Sequence, residues 1–252
     1  MQQQKTFPAW AVLEEGETLA KAELEAKPLG DYDVACDTLA CGICHSDLHT
    51  VNGDWGKQKY PLVAGHEVVA RVVEIGAKVT KFALGDRVGF GPQRSSCGEC
   101  KLCLAGDENL CHKFGGLYDN GFTGGYGAHI RVNEKFTFKI PDEVADVEAG
   151  PLLCAGVTTF APLVTFPLPE KAHIAVVGIG GLGHMALQFA NALGHQVTAI
   201  SRSEDKRADA LKFGGDASNF ILSTDKDAMK KAVNSFDMII CTVSANLKWD
   251  IY

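Results

Sequence analysis

The amino-acid sequence predicts an α/β protein in two parts, a β-rich domain followed by a domain of alternating strands and helices. Three observations support this fold class. Short apolar runs separated by turn residues fill the first part, four cysteines lie close together between residues 97 and 111, and a G-x-G-x-x-G motif follows a strand pattern at residues 178–183. We predict domains at residues 1–150 and 151–252.

The composition is that of a folded protein whose surface is not basic. The chain has 252 residues, of which 46% are hydrophobic, and a formal net charge of -7. This charge argues against nucleic acid or an anionic membrane as a partner. Apolar runs such as residues 174–180 are too short to span a membrane, and residues 1–8 lack an apolar signal core. Without an export signal, the nine cysteines indicate metal binding and reduced thiols, and hence a cytoplasmic protein.

The first domain is predicted to consist mainly of short strands. Apolar or β-branched runs at residues 34–39, 68–75, 87–90 and 129–132 are bounded by glycine-containing turns. Many short strands without long helices between them favour an irregular barrel or sandwich. Four prolines at residues 151–169 favour a stiff connection to the second domain.

Four cysteines in this domain have the spacing C-x2-C-x2-C-x7-C. They are Cys97, Cys100, Cys103 and Cys111. Tetrahedral zinc needs four soft ligands that meet at one point, and short spacings let one loop supply all of them. A disulfide pair or four buried core thiols are the alternatives, which the repeated x2 spacing disfavours. Four protein ligands close the coordination sphere, so we predict a structural zinc.

The second domain begins with a predicted strand at residues 173–177, a glycine-rich turn and a predicted helix at residues 184–193. In this context the motif is a dinucleotide-binding fingerprint. Gly178 permits the tight turn, Gly180 lets the backbone approach a pyrophosphate, and Gly183 allows close packing of helix on strand. The predicted cofactor-binding turn consists of Gly178, Gly180, Gly181, Leu182 and Gly183. The alternative is a glycine-rich turn in an ordinary α/β domain.

The next predicted strand, at residues 196–200, ends in Ser201, Arg202 and Ser203, and Lys206 follows one turn later. NAD sites usually have an acidic residue here that binds the ribose 2′-hydroxyl. Hydroxyls and a guanidinium instead suit a 2′-phosphate, which a carboxylate would repel. The sequence therefore predicts NADP(H) as cofactor, and the alternative is a solvated basic helix start.

Two further strands are predicted at residues 218–222 and 236–243, which gives the second sheet four strands. A dinucleotide-binding domain usually has six. The fourth strand is apolar on both faces, and without an outer neighbour it forms a hydrophobic sheet edge. We therefore expect an incomplete dinucleotide-binding domain, truncated at its C-terminal end, in a fragment of a longer protein.

Five motifs connect the chain to a known family: CGICHSDLH, AGHEVVARVVEIG, GDRVGFGP, the four-cysteine loop and AVVGIGGLGHMALQFA. With them, essentially the whole chain resembles the zinc-dependent medium-chain alcohol dehydrogenases, in particular their cinnamyl-alcohol-dehydrogenase-like branch. The resemblance implies a GroES-like catalytic domain followed by a Rossmann domain. It also implies a small alcohol or aldehyde as substrate, two zinc ions per chain, and a homo-oligomer for the full-length family form.

The resemblance implies that Cys44, His66 and Cys154 bind the catalytic zinc, although their spacing alone does not bring them together. Glu67 is implied as an alternative fourth ligand, and Asp47 as the carboxylate that orients His66. Three protein ligands leave one position open for substrate, and a carboxylate behind a ligand histidine fixes its tautomer. The cysteines without a ligand match are interpreted as packing residues: Cys36, Cys41 and Cys241.

Ser46 and His49 match the proton relay of the family. The implied reaction moves a hydride between a primary alcohol and NADP(H), with aldehyde reduction as the expected direction. Trp55, Phe90 and Tyr118 are predicted to line a pocket for aryl or medium-chain aldehydes, and simple packing is the alternative. The competing functions are a truncated, non-catalytic zinc-binding fragment and a zinc-free quinone reductase, which the cysteine sets disfavour.

Overall fold

The computed structural model describes residues 6–215 and 219–252. The chain divides into two compact units, with the boundary between Cys154 and Ala155. The first unit consists mainly of antiparallel strands, and the second contains a parallel sheet with helices. The predicted α/β fold class with a β-rich first part is therefore confirmed.

The first unit contains nine strands and three α-helices among the residues described. The strands are β1 (Thr6–Ala11), β2 (Ala20–Glu25), β3 (Asp33–Gly42), β4 (Glu67–Ile75), β5 (Arg87–Phe90), β6 (Gln93–Ser95), β7 (Gly115–Gly116), β8 (His129–Asn133) and β9 (Phe138–Lys139). The helices are α1 (His45–Val51), α2 (Lys101–Ala105) and α3 (Asp146–Pro151). All four strands predicted from the sequence for this part are present.

A five-stranded antiparallel sheet in the order β8-β3-β4-β5-β9 forms the centre of the first unit. Its core contains Val34, Val68, Val88 and Ile130, all of them buried. β3 and β4 pair from Val34 opposite Ile75 to Gly42 opposite Glu67. This register sets the segment after β3 beside the segment before β4, and these two segments carry Cys44 and His66.

The second unit has a four-stranded parallel sheet in the order β12-β11-β10-β13. Its strands are β10 (His173–Val177), β11 (Gln196–Ser201), β12 (Asn219–Leu222) and β13 (Met238–Cys241), and its helices are α4 (Val157–Thr165), α5 (Gly181–Ala192), α6 (Arg207–Gly214) and α7 (Lys226–Lys231). The four strands agree with the prediction, although Ser218 lies outside the described residues. α5 begins at Gly181, three residues before the predicted start. Among the described strands β13 lies at an edge, where Ile239 is 42% exposed.

One helical segment, Asp146–Thr165, has the length and composition of a membrane span. It has 20 residues and a mean hydropathy of 1.4. The expectation that every apolar run is far shorter than a span is therefore wrong for this segment. Length and composition are weak evidence, because core helices pass the same test. This segment also carries Cys154, whose thiol belongs to the side-chain cluster described below.

Candidate metal and nucleotide sites

The four-cysteine loop gathers its sulfur atoms around one point. The Sγ–Sγ distances are 3.8 Å for Cys97 and Cys103, 4.0 Å for Cys100 and Cys111, and 3.6 Å for Cys111 and Cys97. A disulfide needs about 2.0 Å. Sulfurs at the corners of a tetrahedron, each about 2.3 Å from a zinc ion, lie about 3.8 Å apart. The four free thiols therefore fit a closed tetrahedral zinc site and do not fit disulfides.

Backbone N–H groups support these sulfurs. The amide of Cys100 donates to Cys97 Sγ at 3.3 Å, and the amide of Cys103 donates to Cys100 Sγ at 3.5 Å. The backbone amides of Glu99 and Cys100 lower the pKa of Cys97 to about 6. Since a thiolate is the form of cysteine that binds metal, the loop is organised for ligation by its own backbone.

A second cluster consists of Cys44, His66, Glu67 and Cys154. One ligand atom from each lies within 4.8 Å of the others. Cys44 Sγ lies 4.0 Å from Cys154 Sγ, and His66 Nε2 lies 3.2 Å from the same sulfur. Cys44 precedes α1, His66 precedes β4, and Cys154 lies in a π-helical turn at Leu152–Gly156. The fold thus unites three segments that the sequence separates, and two thiols, an imidazole and a carboxylate fit zinc.

The acidic groups of the second cluster lie so close together that their negative charges repel one another in the protein alone. Hydrogen bonds with Cys154 and His66 lower the pKa of Cys44 to about 3. Contact with Cys44 and burial raise the pKa of Cys154. Burial, together with the charge of Cys44, raises the pKa of Glu67 to about 7. A divalent cation relieves this crowding of negative charge, because it favours the ionised form of each ligand.

Asp47 fixes the orientation of His66. Its Oδ1 lies 2.8 Å from His66 Nδ1, and both side chains are buried. Although burial alone lowers the pKa of His66, its contacts with Asp47 and Cys44 raise that pKa to about 10. With Nδ1 held by the carboxylate, Nε2 is the nitrogen that faces the cluster. This is the geometry that the family resemblance implied for the pair.

Gly65 allows the chain to pass close behind this pair. Its φ of +96° favours glycine, and a Cβ there would lie 2.8 Å from both Cys41 Sγ and a ring carbon of Tyr126. Its amide donates to Asp47 Oδ1 at 2.9 Å. The glycine of the Gly65-His66-Glu67 motif is therefore required by both conformation and packing. Cys41 packs against the sheet core and Cys36 is part of it, in line with their predicted packing role.

A cavity of about 400 Å³ lies beside the second cluster. Its lining includes Ser46, Trp55, His66, Tyr118 and Cys154. The lining also contains Pro92 of the GDRVGFGP motif and residues that no sequence motif marks: Thr50, Gln58, Phe114, Gly116, Leu117 and Asp119. The unmarked residues come from separate segments that converge only through the tertiary fold, so the sequence could not identify them.

Two predicted residues do not line this cavity. Phe90 is fully buried in the core of the five-stranded sheet, packed in one cluster with Val68 and Val88, so the prediction that it lines the pocket is wrong. His49 instead bonds Asp54 through Nδ1 at 2.8 Å and stacks on Trp55, with a centroid distance of 5.2 Å. The structure therefore brings Ser46, but not His49, to the cavity wall.

The glycine-rich turn of the second unit fits a dinucleotide phosphate. Gly178 has a φ of +87°, and a Cβ on Gly183 would lie 1.9 Å from the carbonyl oxygen of Gly178. A Cβ on Gly180 would meet no atom within 4 Å. Gly181 and Leu182 begin α5, whose N-terminus is electrostatically suited to an anion. The turn thus leaves open space where a phosphate can approach the backbone.

The end of β11 carries the residues predicted to bind a 2′-phosphate. Ser201 is buried, whereas Arg202, Ser203 and Lys206 are exposed. Among residues 6–215 and 219–252, neither Arg202 nor Lys206 forms an ion pair. Within the described part of the chain, no carboxylate is therefore paired with either cation.

Two family models match this chain. "Alcohol dehydrogenase GroES-like domain" matches residues 30–142, and "Zinc-binding dehydrogenase" matches residues 181–251. A probable mannitol dehydrogenase of Fragaria ananassa is 45% identical, over 96% of this chain and 69% of the relative. Cinnamyl alcohol dehydrogenase 8 of Arabidopsis thaliana is 49% identical, over 86% of this chain and 62% of the relative. The chain thus spans about two thirds of each relative's length.

Solved structures give the same relationship. A cinnamyl alcohol dehydrogenase from Sorghum bicolor matches 96% of this chain and 71% of its own, with a TM-score of 0.89 and 41% identity. The structure of CAD from Helicobacter pylori complexed with NADP(H) matches 97% of this chain and 71% of its own, with a TM-score of 0.87 and 32% identity. Both matches cover nearly all of this chain, so the likeness extends over both of its units.

Proposed function

Because this chain belongs to the zinc-dependent medium-chain alcohol dehydrogenases, in their cinnamyl-alcohol-dehydrogenase-like branch, we propose that it interconverts primary alcohols and aldehydes with NADP(H). One observation carries the proposal. Cys44, His66 and Cys154 come from three distant segments, and their ligand atoms converge beside a cavity of about 400 Å³. Three protein ligands and an adjacent cavity are typical of a catalytic zinc with one open position.

The residues of the cluster have distinct roles in this proposal. Cys44, His66 and Cys154 would hold the zinc, and Glu67 would be an alternative fourth ligand. Zinc bound there supplies Lewis acidity, which lowers the pKa of an alcohol and polarises an aldehyde carbonyl. Asp47 holds His66 in the tautomer that presents Nε2. The four-cysteine loop holds a second, structural zinc.

The proton of the reaction is proposed to pass through Ser46. Ser46 lines the cavity, and in this proposal its hydroxyl accepts the proton of a bound alcohol while it passes its own proton on towards solvent. His49, whose side chain is 27% exposed, lies on the same helix and is the proposed exit to solvent. Asp54 accepts a hydrogen bond from its Nδ1, which fixes the orientation of the ring.

NADP(H), which supplies or accepts the hydride when bound, is the proposed cofactor. The open space at Gly180 supports this proposal, as does the relative solved with NADP(H). Arg202 and Lys206, which form no ion pair with any described residue, support it as well. Trp55 and Tyr118 supply aromatic surface in the cavity, which favours aryl or medium-chain aldehydes. We propose aldehyde reduction as the cellular direction.

The experiment is a pair of measurements on the zinc-loaded chain. Metal analysis should find two zinc ions per chain, and benzaldehyde with NADPH should be turned over. His66→Ala should remove one zinc and the turnover together. A folded protein that carries two zinc ions and shows no turnover with benzaldehyde or longer aldehydes would refute the proposed activity, and a protein with almost no zinc would refute the metal sites.

A further inference from the structure

The carboxylate of Asp47 receives more hydrogen bonds than the orientation of one histidine requires. The Asp47 side chain is almost fully buried. Oδ1 contacts His66 Nδ1 at 2.8 Å, Gly65 N at 2.9 Å and the hydroxyl of Tyr118 at 3.5 Å. Oδ2 accepts from Cys44 N at 3.2 Å and from the hydroxyl of Tyr126 at 3.2 Å.

These bonds tie two predicted zinc ligands to one carboxylate. Oδ1 orients the ring of His66, and Oδ2 holds the backbone of Cys44 at the start of α1. A carboxylate that rotates about its Cβ–Cγ bond moves both oxygens together, so a displacement at Oδ2 is transmitted to His66. Among the described residues Oδ2 has two donors, and without the tyrosine the Cys44 amide is the one that remains.

We propose that Tyr126 is a positioning residue of the metal centre, whose hydroxyl locks the Asp47 carboxylate so that His66 and Cys44 face the zinc. This inference rests on the zinc site of the proposed function. The family resemblance implied that Asp47 orients His66, and the inference adds Tyr126 as the residue that holds Asp47. No spacing in the sequence connects Tyr126 with residues 44–47.

The packing of Tyr126 makes its hydroxyl a rigid donor. The ring packs against a cluster that contains Phe7, Ala9 and Val63. It also lies so close to Gly65 that a Cβ on that residue would be 2.8 Å from a ring carbon. Tyr118 is a weaker candidate, because its hydroxyl lies 3.2 Å from Thr50 Oγ1 and only 3.5 Å from Asp47. The larger effect is therefore expected from Tyr126.

The test measures zinc affinity by competition with a chromogenic chelator on the full chain. Tyr126→Phe keeps the ring and removes the hydroxyl. We expect it to weaken one of the two zinc sites by about 3- to 10-fold, below the roughly 10- to 100-fold cost of losing a direct partner of a ligand. Asp47→Asn should show that larger loss. Tyr60→Phe, at a partly buried tyrosine that makes no hydrogen bond to Asp47 among the described contacts, is the matched control and should leave both sites unchanged.

A double-mutant cycle separates positioning from general stability. If the hydroxyl acts through the carboxylate, Tyr126→Phe should have no further effect in an Asp47→Ala background. Additive losses, equal weakening of both zinc sites, or unchanged affinity in Tyr126→Phe would each overturn the inference. Should Tyr126→Phe not fold, Tyr118→Phe replaces it. That variant should then show a smaller but selective loss at the same site, and no loss there would overturn the inference.

Aldehyde turnover, measured in parallel, distinguishes this inference from the proposed function. A selective loss of zinc affinity in a chain that turns over no aldehyde refutes the proposed activity and supports the role of Tyr126. Turnover in the wild type, with unchanged zinc affinity in Tyr126→Phe, supports the proposed activity and refutes the role of Tyr126.

Discussion

Alanine at Gly180 and alanine at Gly183 should have opposite consequences, although both change one glycine of the same turn. The backbone of Gly180 has φ and ψ of -107° and -152°, which an alanine can adopt, and its Cβ would project into open space. The Cβ of an alanine at position 183 would lie 1.9 Å from the carbonyl oxygen of Gly178. The first change therefore blocks ligand space, and the second disrupts packing.

The expected changes in stability and in NADPH affinity follow from these two environments. Gly180→Ala should change the free energy of unfolding by no more than about 0.5 kcal/mol, as for other substitutions that make no clash. It prevents a phosphate from reaching the backbone and so removes about one hydrogen bond to a charged group. Such a bond contributes about 1.5–3 kcal/mol, which corresponds to about 10- to 150-fold weaker NADPH binding. Gly183→Ala should cost about 1–3 kcal/mol of stability, because α5 must move away from β10.

The assay combines NADPH fluorescence titration with thermal unfolding of the same two variants. At about 2–4 °C for each kcal/mol, Gly183→Ala should lower the melting temperature measurably, whereas Gly180→Ala should not. Wild-type NADPH affinity in Gly180→Ala would refute the assignment of this open space to the cofactor phosphates. A large loss of stability in Gly180→Ala would refute the packing argument itself.

The remaining predictions concern the cofactor, the structural metal and the cavity. Arg202→Asp should weaken NADPH binding relative to NADH, because a carboxylate repels the 2′-phosphate, and an unchanged ratio of the two dissociation constants would contradict the NADP(H) proposal. Cys100→Ser should lower bound zinc from two ions to one and reduce thermal stability, since a closed zinc site contributes to folding; full stability with one zinc would argue against a structural role. Phe90→Ala should cost about 3–5 kcal/mol in denaturant unfolding because the ring is fully buried, whereas Trp55→Ala, at a side chain 62% exposed, should raise the KM for aryl aldehydes with little change in stability. The reverse pattern would show that Trp55, and not Phe90, is a core residue.

Local sequence patterns predicted much of the fold. Strands such as β5 and β10 have the predicted bounds, because a short apolar run between turn residues has few other ways to bury its side chains. The start of α5 differed, because the helix includes Gly181 and Leu182, which the motif assigned to the turn. The prediction that Phe90 lines the pocket failed for a related reason. An aromatic side chain suits a pocket or a core equally well, and only its neighbours decide between them.

The sequence by itself determined the four-cysteine loop and the glycine-rich turn, since each is a local segment whose spacing already restricts its geometry. The second cluster is different, because Cys44, His66 and Cys154 meet only when β3 pairs with β4 and the Asp146–Thr165 segment carries Cys154 to them. The contact of Tyr126 with Asp47 likewise exists only in the folded chain. Hydrogen bonds and metal ligands act over a few ångströms, and for residues far apart in sequence only the tertiary structure brings those distances within reach.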